Sequence, residues 1–128
     1  DLDKNIIKRN KNFEYFISNL DKQLYFTDFD LEGSSNYAFN LVLKYKNNKL
    51  INRLKIQLNK NGIEFRMGSA GGGNQLRQPY LNDFVKKNDY KNFPITEHIH
   101  FYGMYIGNYP ELNKKDIDFI LKIVNLKK

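Results

Sequence analysis

The sequence predicts an α+β domain, a small antiparallel sheet with helices packed on one face. Three observations carry that expectation. Segments of helical period alternate with short period-two runs, and turn residues separate them. At 128 residues the chain has single-domain length, so residues 1–128 read as one domain with no linker or internal repeat. A hydrophobic share of 41% and an aromatic share of 15% suit a packed core better than a disordered tail.

Each element has its own justification. Lys4 to Asn19 places Ile6, Ile7, Phe13, Phe16 and Ile17, with Leu20 just beyond, on one helical stripe. The period then changes, and Leu24-Tyr25-Phe26 reads as a short extended piece ahead of the turn Glu32-Gly33-Ser34-Ser35. Tyr37 to Tyr45 alternates as a strand, with Ala38, Asn40 and Val42 on one face and Phe39, Leu41 and Leu43 on the other. Asn47-Asn48 opens a helix carrying Leu50, Ile51, Leu54, Ile56 and Leu58, and Asn61-Gly62 closes it. Ile63 to Met67 follows as a second strand. Tyr80 to Tyr90 is expected to form a short helix around Leu81, Phe84 and Val85. Phe93-Pro94 breaks the chain, Ile99 to Ile106 is expected as the third strand, and Gly107 to Pro110 as a turn. Asn113 caps the last helix, Asp116 supports its first turn, and Ile117, Ile120, Leu121, Val124 and Leu126 form its buried stripe.

Between the second strand and the expected short helix lies Gly68 to Leu81, GSAGGGNQLRQPYL, the least periodic and most polar stretch of the chain. Gly71, Gly72 and Gly73 have no side chain to bury and lose the most entropy on ordering. Such a loop is either solvated and disordered, or kept because backbone must approach a ligand or another chain closely, with Arg77 ready to grip an anion. As a solvated loop residue, Arg77 is expected to contribute little to the stability of the domain, within about 0.5 kcal/mol.

Composition excludes several function classes. There is no cysteine, so disulfides, thiolate metal sites and a cysteine nucleophile are ruled out. No apolar run has the length of a membrane span, and the opening DLDKNIIKRN lacks a signal-peptide core, so no membrane partner and a cytoplasmic location are expected. The formal charge of +7 does not imply nucleic acid, because the lysines are scattered, with only Lys86–Lys87, Lys114–Lys115 and Lys127–Lys128 adjacent.

Read for chemistry, the chain is incomplete. It has no phosphate loop, no nucleophile elbow and no triad of nucleophile, base and orienting acid, so no catalytic residue is assigned in it. His98 and His100, read as strand residues, would point to one face, but no carboxylate cluster completes a metal site there, although Glu97 adjoins. A polar pair at a surface or interface is the simpler expectation. Glu64 and Arg66 share a strand face and lead into the glycine loop, either as an exposed ion pair or as part of a site.

Three ordered motifs carry a family resemblance: Gly-Ile-Glu-x-Arg (Gly62 to Arg66), Gly-Asn-x-x-Arg-Gln-Pro (Gly73 to Pro79) and Ile-Gly-Asn-Tyr-Pro-Glu-Leu (Ile106 to Leu112). Together with Arg9-x-x-Asn12-x-x-Tyr15 and Tyr37-Ala38-Phe39, they resemble the C-terminal small domain of the DegT/StrS family across nearly the whole chain. These are fold-type I, pyridoxal-phosphate-dependent enzymes acting on nucleotide-linked keto sugars. The resemblance implies a larger parent whose N-terminal large domain, absent from these residues, holds the pyridoxal 5′-phosphate, and a homodimer that completes each site. It implies substrate contacts from Arg66, Arg77, Asn74, Gln78, Tyr80 and Glu64, with His98 and His100 as lesser candidates. It also implies a docking face on the first helix and around Phe101 to Tyr105.

One departure separates subgroups. Where many sugar aminotransferases have a Pro-Leu-His type segment before the Gln-Pro and a Leu-Pro-x-His-Pro type segment before the last helix, this chain has GGGNQLRQP and IGNYP. That looks more like the GDP-4-keto-6-deoxymannose 3-dehydratase-like subgroup, in which histidine replaces the Schiff-base lysine. The implied parent is thus a 3-dehydratase or an aminotransferase of a nucleotide-linked 4-keto-6-deoxy sugar, as used in bacterial surface polysaccharides. The alternative is a stand-alone, non-catalytic binding module of the same fold.

Overall fold

The computed structural model describes residues 1–126, and the Lys127–Lys128 pair lies outside them. Its helices and strands are α1 (Leu2–Asn19), β1 (Ala38–Val42), α2 (Asn48–Lys60), β2 (Phe65–Met67), α3 (Pro94–Tyr102), β3 (Gly103–Gly107) and α4 (Lys114–Val124). The three strands form one antiparallel sheet in the order β1-β3-β2. β3 is therefore central, pairing Phe39 and Phe65 with Ile106, and Leu41 and Met67 with Met104.

Alternation decides which face of the sheet is buried. Phe39, Leu41, Leu43, Met104 and Ile106 point into a core shared with Phe13 and Phe16 of α1, Ile51, Leu54 and Leu58 of α2, and Ile117, Ile120, Leu121 and Val124 of α4. Phe39 stacks on Phe16 with ring centroids 4.3 Å apart. The expected α+β arrangement is thus observed, and the opposite sheet face carries the exposed Asn40 and Arg66 with the half-buried Tyr105.

The caps are where the sequence places them. Asn47 Oδ1 accepts from Leu50 N, and Asn113 with Asp116 forms a complete capping box. α2 stops at Asn61-Gly62, where Gly62 has φ +67°, which an L side chain rarely adopts. The expected Leu24–Phe26 extension is a bridge between Tyr25 and Leu43, and Tyr25 Oη donates to Val124 O at 2.7 Å. Burial lifts the Tyr25 phenol well above its ordinary range. Two residues placed on buried stripes face solvent instead, Ile7 and Ile56.

Two expected elements are wrong. Ile99 to Ile106 is not one strand: residues Pro94–Tyr102 are helix, and the strand begins at Gly103. Pro94 supplies a helical φ at the first position, where no N–H is needed, and Glu97 N donates to Phe93 O. At the junction, a Cβ on Gly103 would lie 2.7 Å from Ile99 O, so only glycine lets the chain pass so abruptly from helix to strand. Tyr80 to Tyr90 is not a helix either. It is a 3₁₀ turn over Pro79–Leu81, followed by bends that leave Phe84 exposed, and a second 3₁₀ turn at Asp89–Asn92.

Candidate functional site

The glycine loop is closed by its own backbone. Gly68 and Gly72 have positive φ, and the N–H groups of Gly71 and Gly73 both donate to Gly68 O, at 3.0 and 2.8 Å. A Cβ on Gly71 would lie 2.5 Å from Met67 N, and one on Gly73 would be 2.7 Å from Gly68 O and collide with His100 Nδ1. The close approach inferred from the glycine run is therefore an approach of the chain to itself and to α3.

The polar block that follows anchors the loop. Asn74 is 2% exposed. Its Nδ2 donates to Tyr90 O (3.2 Å) and to Glu97 Oε1 (2.9 Å), its Oδ1 accepts from Leu76 N (3.1 Å), and its backbone N–H donates to His100 Nδ1 (3.0 Å). Arg77 is not the solvated residue expected from sequence. Its Nε donates to Glu97 Oε1 at 2.7 Å and one Nη to Glu97 Oε2 at 2.6 Å, with the guanidinium 3.9 Å from the Tyr90 ring centre and 4.9 Å from that of Phe101. This is a forked ion pair stacked between aromatics, the geometry to which a guanidinium is suited.

The electrostatics follow from these contacts. Hydrogen bonds from Arg77, aided by Asn74, hold the Glu97 carboxyl below its ordinary pKa against the opposing effect of burial. Glu97 correspondingly raises the Arg77 guanidinium. Burial first, then the Arg77 charge, lowers His100, while Glu97 pulls the other way. A His100 ring that accepts at Nδ1 carries its proton on Nε2 and is neutral.

The remaining candidates are dispersed. Gln78 Nε2 donates to Ser69 O (3.2 Å), and the exposed Tyr80 donates its hydroxyl to Gln75 Oε1 (2.8 Å), both at the loop edge. A cleft of about 460 Å³ opens beside the loop, with Arg77, Lys86, Lys87 and Tyr90 in its wall. Glu64 and Arg66 form an exposed pair at 3.5 Å on the outer sheet face. His98 and His100 lie on α3, where a two-residue step is a rotation of about 200°, so they face apart. The shared-face premise for them is wrong: His98 Nε2 meets Leu43 O, beside a largely apolar cavity of about 510 Å³ that Phe26, Ile95 and Ile99 also line. Among the described residues no three His, Cys, Asp or Glu converge as for a metal, and no helix is long and apolar enough to cross a membrane.

Sequence reading missed Glu97, Tyr90 and Phe101 as partners of Arg77. It also missed that two of the quoted motifs touch. Arg9 Nε donates to Asn108 O (3.2 Å), Asn12 Nδ2 to Asn108 Oδ1 (3.3 Å) and Tyr109 O (3.2 Å), and Tyr15 Oη to Asp118 Oδ1 (2.6 Å). Asn108, 1% exposed, donates in turn to Arg9 O and Asn36 O, both at 2.8 Å. The available signal for Glu97 was the Pro-x-x-Glu start of a helix at Pro94.

No protein-family model and no curated protein matches this sequence. Solved structures do. A GDP-4-keto-6-deoxymannose-3-dehydratase with a trapped PLP-glutamate geminal diamine superposes with a TM-score of 0.78 at 24% identity, over 94% of this chain and 31% of that one. A variant of the same enzyme (ColD) with bound GDP-perosamine gives 0.74 at 26%, over 93% and 31%. A DegT DnrJ EryC1 StrS aminotransferase from Brucella abortus gives 0.70 at 16%, over 94% and 30%. The family resemblance read from the motifs thus holds in three dimensions, and the chain spans about a third of the length of the enzymes it matches. Among the described residues no lysine is buried, and the one glycine-rich turn folds onto α3 instead of opening a helix N-terminus.

Proposed function

We propose that this chain is the C-terminal small domain of a pyridoxal-phosphate-dependent enzyme that modifies a nucleotide-linked 4-keto-6-deoxy sugar, by 3-dehydration in preference to transamination. The observation that carries the reading is the combination of near-complete coverage of this chain with about 31% coverage of the 3-dehydratase structures. Identity of 24–26% to the 3-dehydratases against 16% to the Brucella aminotransferase supports the dehydratase branch.

In this reading the cofactor and the catalytic groups belong to a large domain outside these residues, and a homodimer completes each site. The enzyme works in the cytoplasm and supplies sugars for bacterial surface polysaccharide. The cofactor supplies the electron sink, and this domain supplies orientation. The loop edge meets the sugar, through Gln78, Tyr80 and the Arg77 N–H groups that Glu97 leaves free. Asn74 acts by holding the loop in register, and Glu64 and Arg66 lie toward the nucleotide. His98 and His100 support α3 and the loop.

The residue at the Schiff-base position of the full-length protein is the first test: histidine supports the dehydratase, lysine the aminotransferase. A full-length protein with no upstream cofactor domain would overturn the catalytic reading and leave a binding module. In the full-length enzyme, Arg77→Ala should reduce kcat/KM for the nucleotide sugar while the cofactor absorbance stays intact. Unchanged kinetics would remove the loop from the active site.

A further inference from the structure

The glycine turn and the polar block after it are fastened to α3 by different groups. The turn, residues 68–73, is held by a ring nitrogen: Asn74 N at its end donates to His100 Nδ1 at 3.0 Å. At its start, a Cβ on Gly68 would lie 3.6 Å from His100 Nε2. The imidazole thus sits between the two ends of a turn that closes on itself through Gly68 O. The block from Asn74 to Arg77 is held by a carboxylate instead. Glu97 accepts both forked donors of Arg77 and one Nδ2 hydrogen of Asn74.

The two fastenings answer to acid one after the other. A ring that accepts at Nδ1 has one place left for a proton, and that place faces the Asn74 N–H. An imidazolium donates from both nitrogens, so protonation sets donor against donor at this contact. The Glu97 carboxylate loses nothing in that event, since the Arg77 fork needs only that Glu97 stay ionised.

The charges that bear on the ring are Arg77 from the loop and Glu97 from α3, with opposite effects. The other elements packed nearby aim theirs elsewhere. Residues Gly68–Ala70 have no titratable side chain, and Arg66 of β2 pairs with Glu64 on the outer sheet face. In the turn Asp89–Asn92, Asp89 accepts from Lys86 N, Tyr90 lies against Arg77, and Lys91 is exposed. β3 contributes only Tyr105, on its outer face, and His98 points away on α3. Burial first, then Arg77, keeps His100 below its ordinary 6.5, so the neutral ring prevails at neutral pH and is lost as pH falls.

The structure assigns to His100 the part of an acid-released latch: one proton taken up from solvent at Nδ1 breaks the bond from Asn74 N and lets the turn 68–73 lift from α3, while Glu97 keeps Arg77 and the Asn74 side chain in place as the hinge. The glycines Gly71, Gly72 and Gly73 lie between the two fastenings, and Gly72 already has φ +75°, so the turn can swing without dragging Arg77. The latch is a property of this domain and stands whatever the parent enzyme acts on.

The test is ring-nitrogen NMR and amide hydrogen exchange on this chain from about pH 7 to about pH 4.5. At the neutral end, His100 Nδ1 should show the shift of an unprotonated acceptor. On acidification, one midpoint below 6.5 should describe both the ring titration and about a threefold loss of protection at Gly71, Gly73 and Asn74. The amides of Leu76 and Arg77, bonded to Asn74 Oδ1 and Asn74 O, should keep theirs throughout. His100→Gln, which retains an acceptor oxygen but does not titrate, should make protection of the turn independent of pH. A proton already on Nδ1 at neutral pH, a loss of protection at a midpoint other than that of the ring, or an equal loss at Leu76 and Arg77 would each overturn the latch. So would a pH dependence that survives in folded His100→Gln; the two wild-type midpoints decide the matter even where that variant does not fold.

Discussion

Two buried asparagines organise opposite parts of the molecule, and they do so with different chemistry. Asn108 ties α1 to the end of β3 through backbone carbonyls and the neutral amide of Asn12. Asn74 ties the glycine loop to α3 through Tyr90 O, a carboxylate clamped by Arg77, and a histidine nitrogen. Both spend their whole side-chain amide on protein partners. Only the second depends on groups that can change charge. The comparison teaches that one hub is a fixed frame, while the other is a fastening whose strength follows protonation.

The largest effect is expected at the frame. Asn108→Ala removes donors to Arg9 O and Asn36 O inside a nearly dry site and should destabilise the domain by about 3 kcal/mol. Urea melts at neutral and mildly acidic pH should show the same loss. A loss that depends on pH would erase the distinction between the hubs.

Arg77→Ala comes next, at about 2 kcal/mol, because it leaves Glu97 half-buried without its forked partner. A double-mutant cycle with Glu97→Gln should return a coupling of about 1–2 kcal/mol. Coupling near zero would reduce the pair to ordinary surface charge.

The smallest effect, and the sharpest, is in pH. The folded pKa of His100 lies below its ordinary 6.5, so its contribution is complete above about that pH and is lost as pH falls. Glu97, also depressed, contributes above its ordinary 4.5 and loses that contribution as pH falls further. Both act in one direction. Hydrogen-exchange protection of Gly71, Gly73 and Asn74 should decline between about pH 7 and pH 4.5, by under about 1 kcal/mol, while that of Ile106 and Asn108 holds steady. Uniform loss across both regions would mean global and not local loosening.

The legible parts of this molecule were those governed by local rules. The caps of α2 and α4 and most of their stripes are local in sequence, and the structure reproduces them, with Ile56 of α2 the exception. IHFYGMYI misled because aromatic and β-branched residues favour strand, whereas Pro94 and the missing Cβ of Gly103 decide the backbone. Tyr80 to Tyr90 misled because its few apolar residues have no core to meet, and Phe84 remains in solvent. At the candidate site, Asn74 and Arg77 stood out as a dense polar block, but their partners Tyr90, Glu97 and His100 come from residues well downstream. No local rule joins them.

The order β1-β3-β2 has a consequence for how the chain is made. β1 and β2 have no hydrogen bonds to each other, and each waits for β3, the last of the three to leave the ribosome. Until residues Gly103–Gly107 emerge, Phe39, Leu41, Phe65 and Met67 are side chains of a sheet that does not yet exist. Synthesis therefore passes through a long interval in which α1, α2 and α3 are available and the strands are unpaired, a state open to wrong partners. A nascent chain arrested before Gly103 should show helix without sheet, and should be the form that chaperones hold longest.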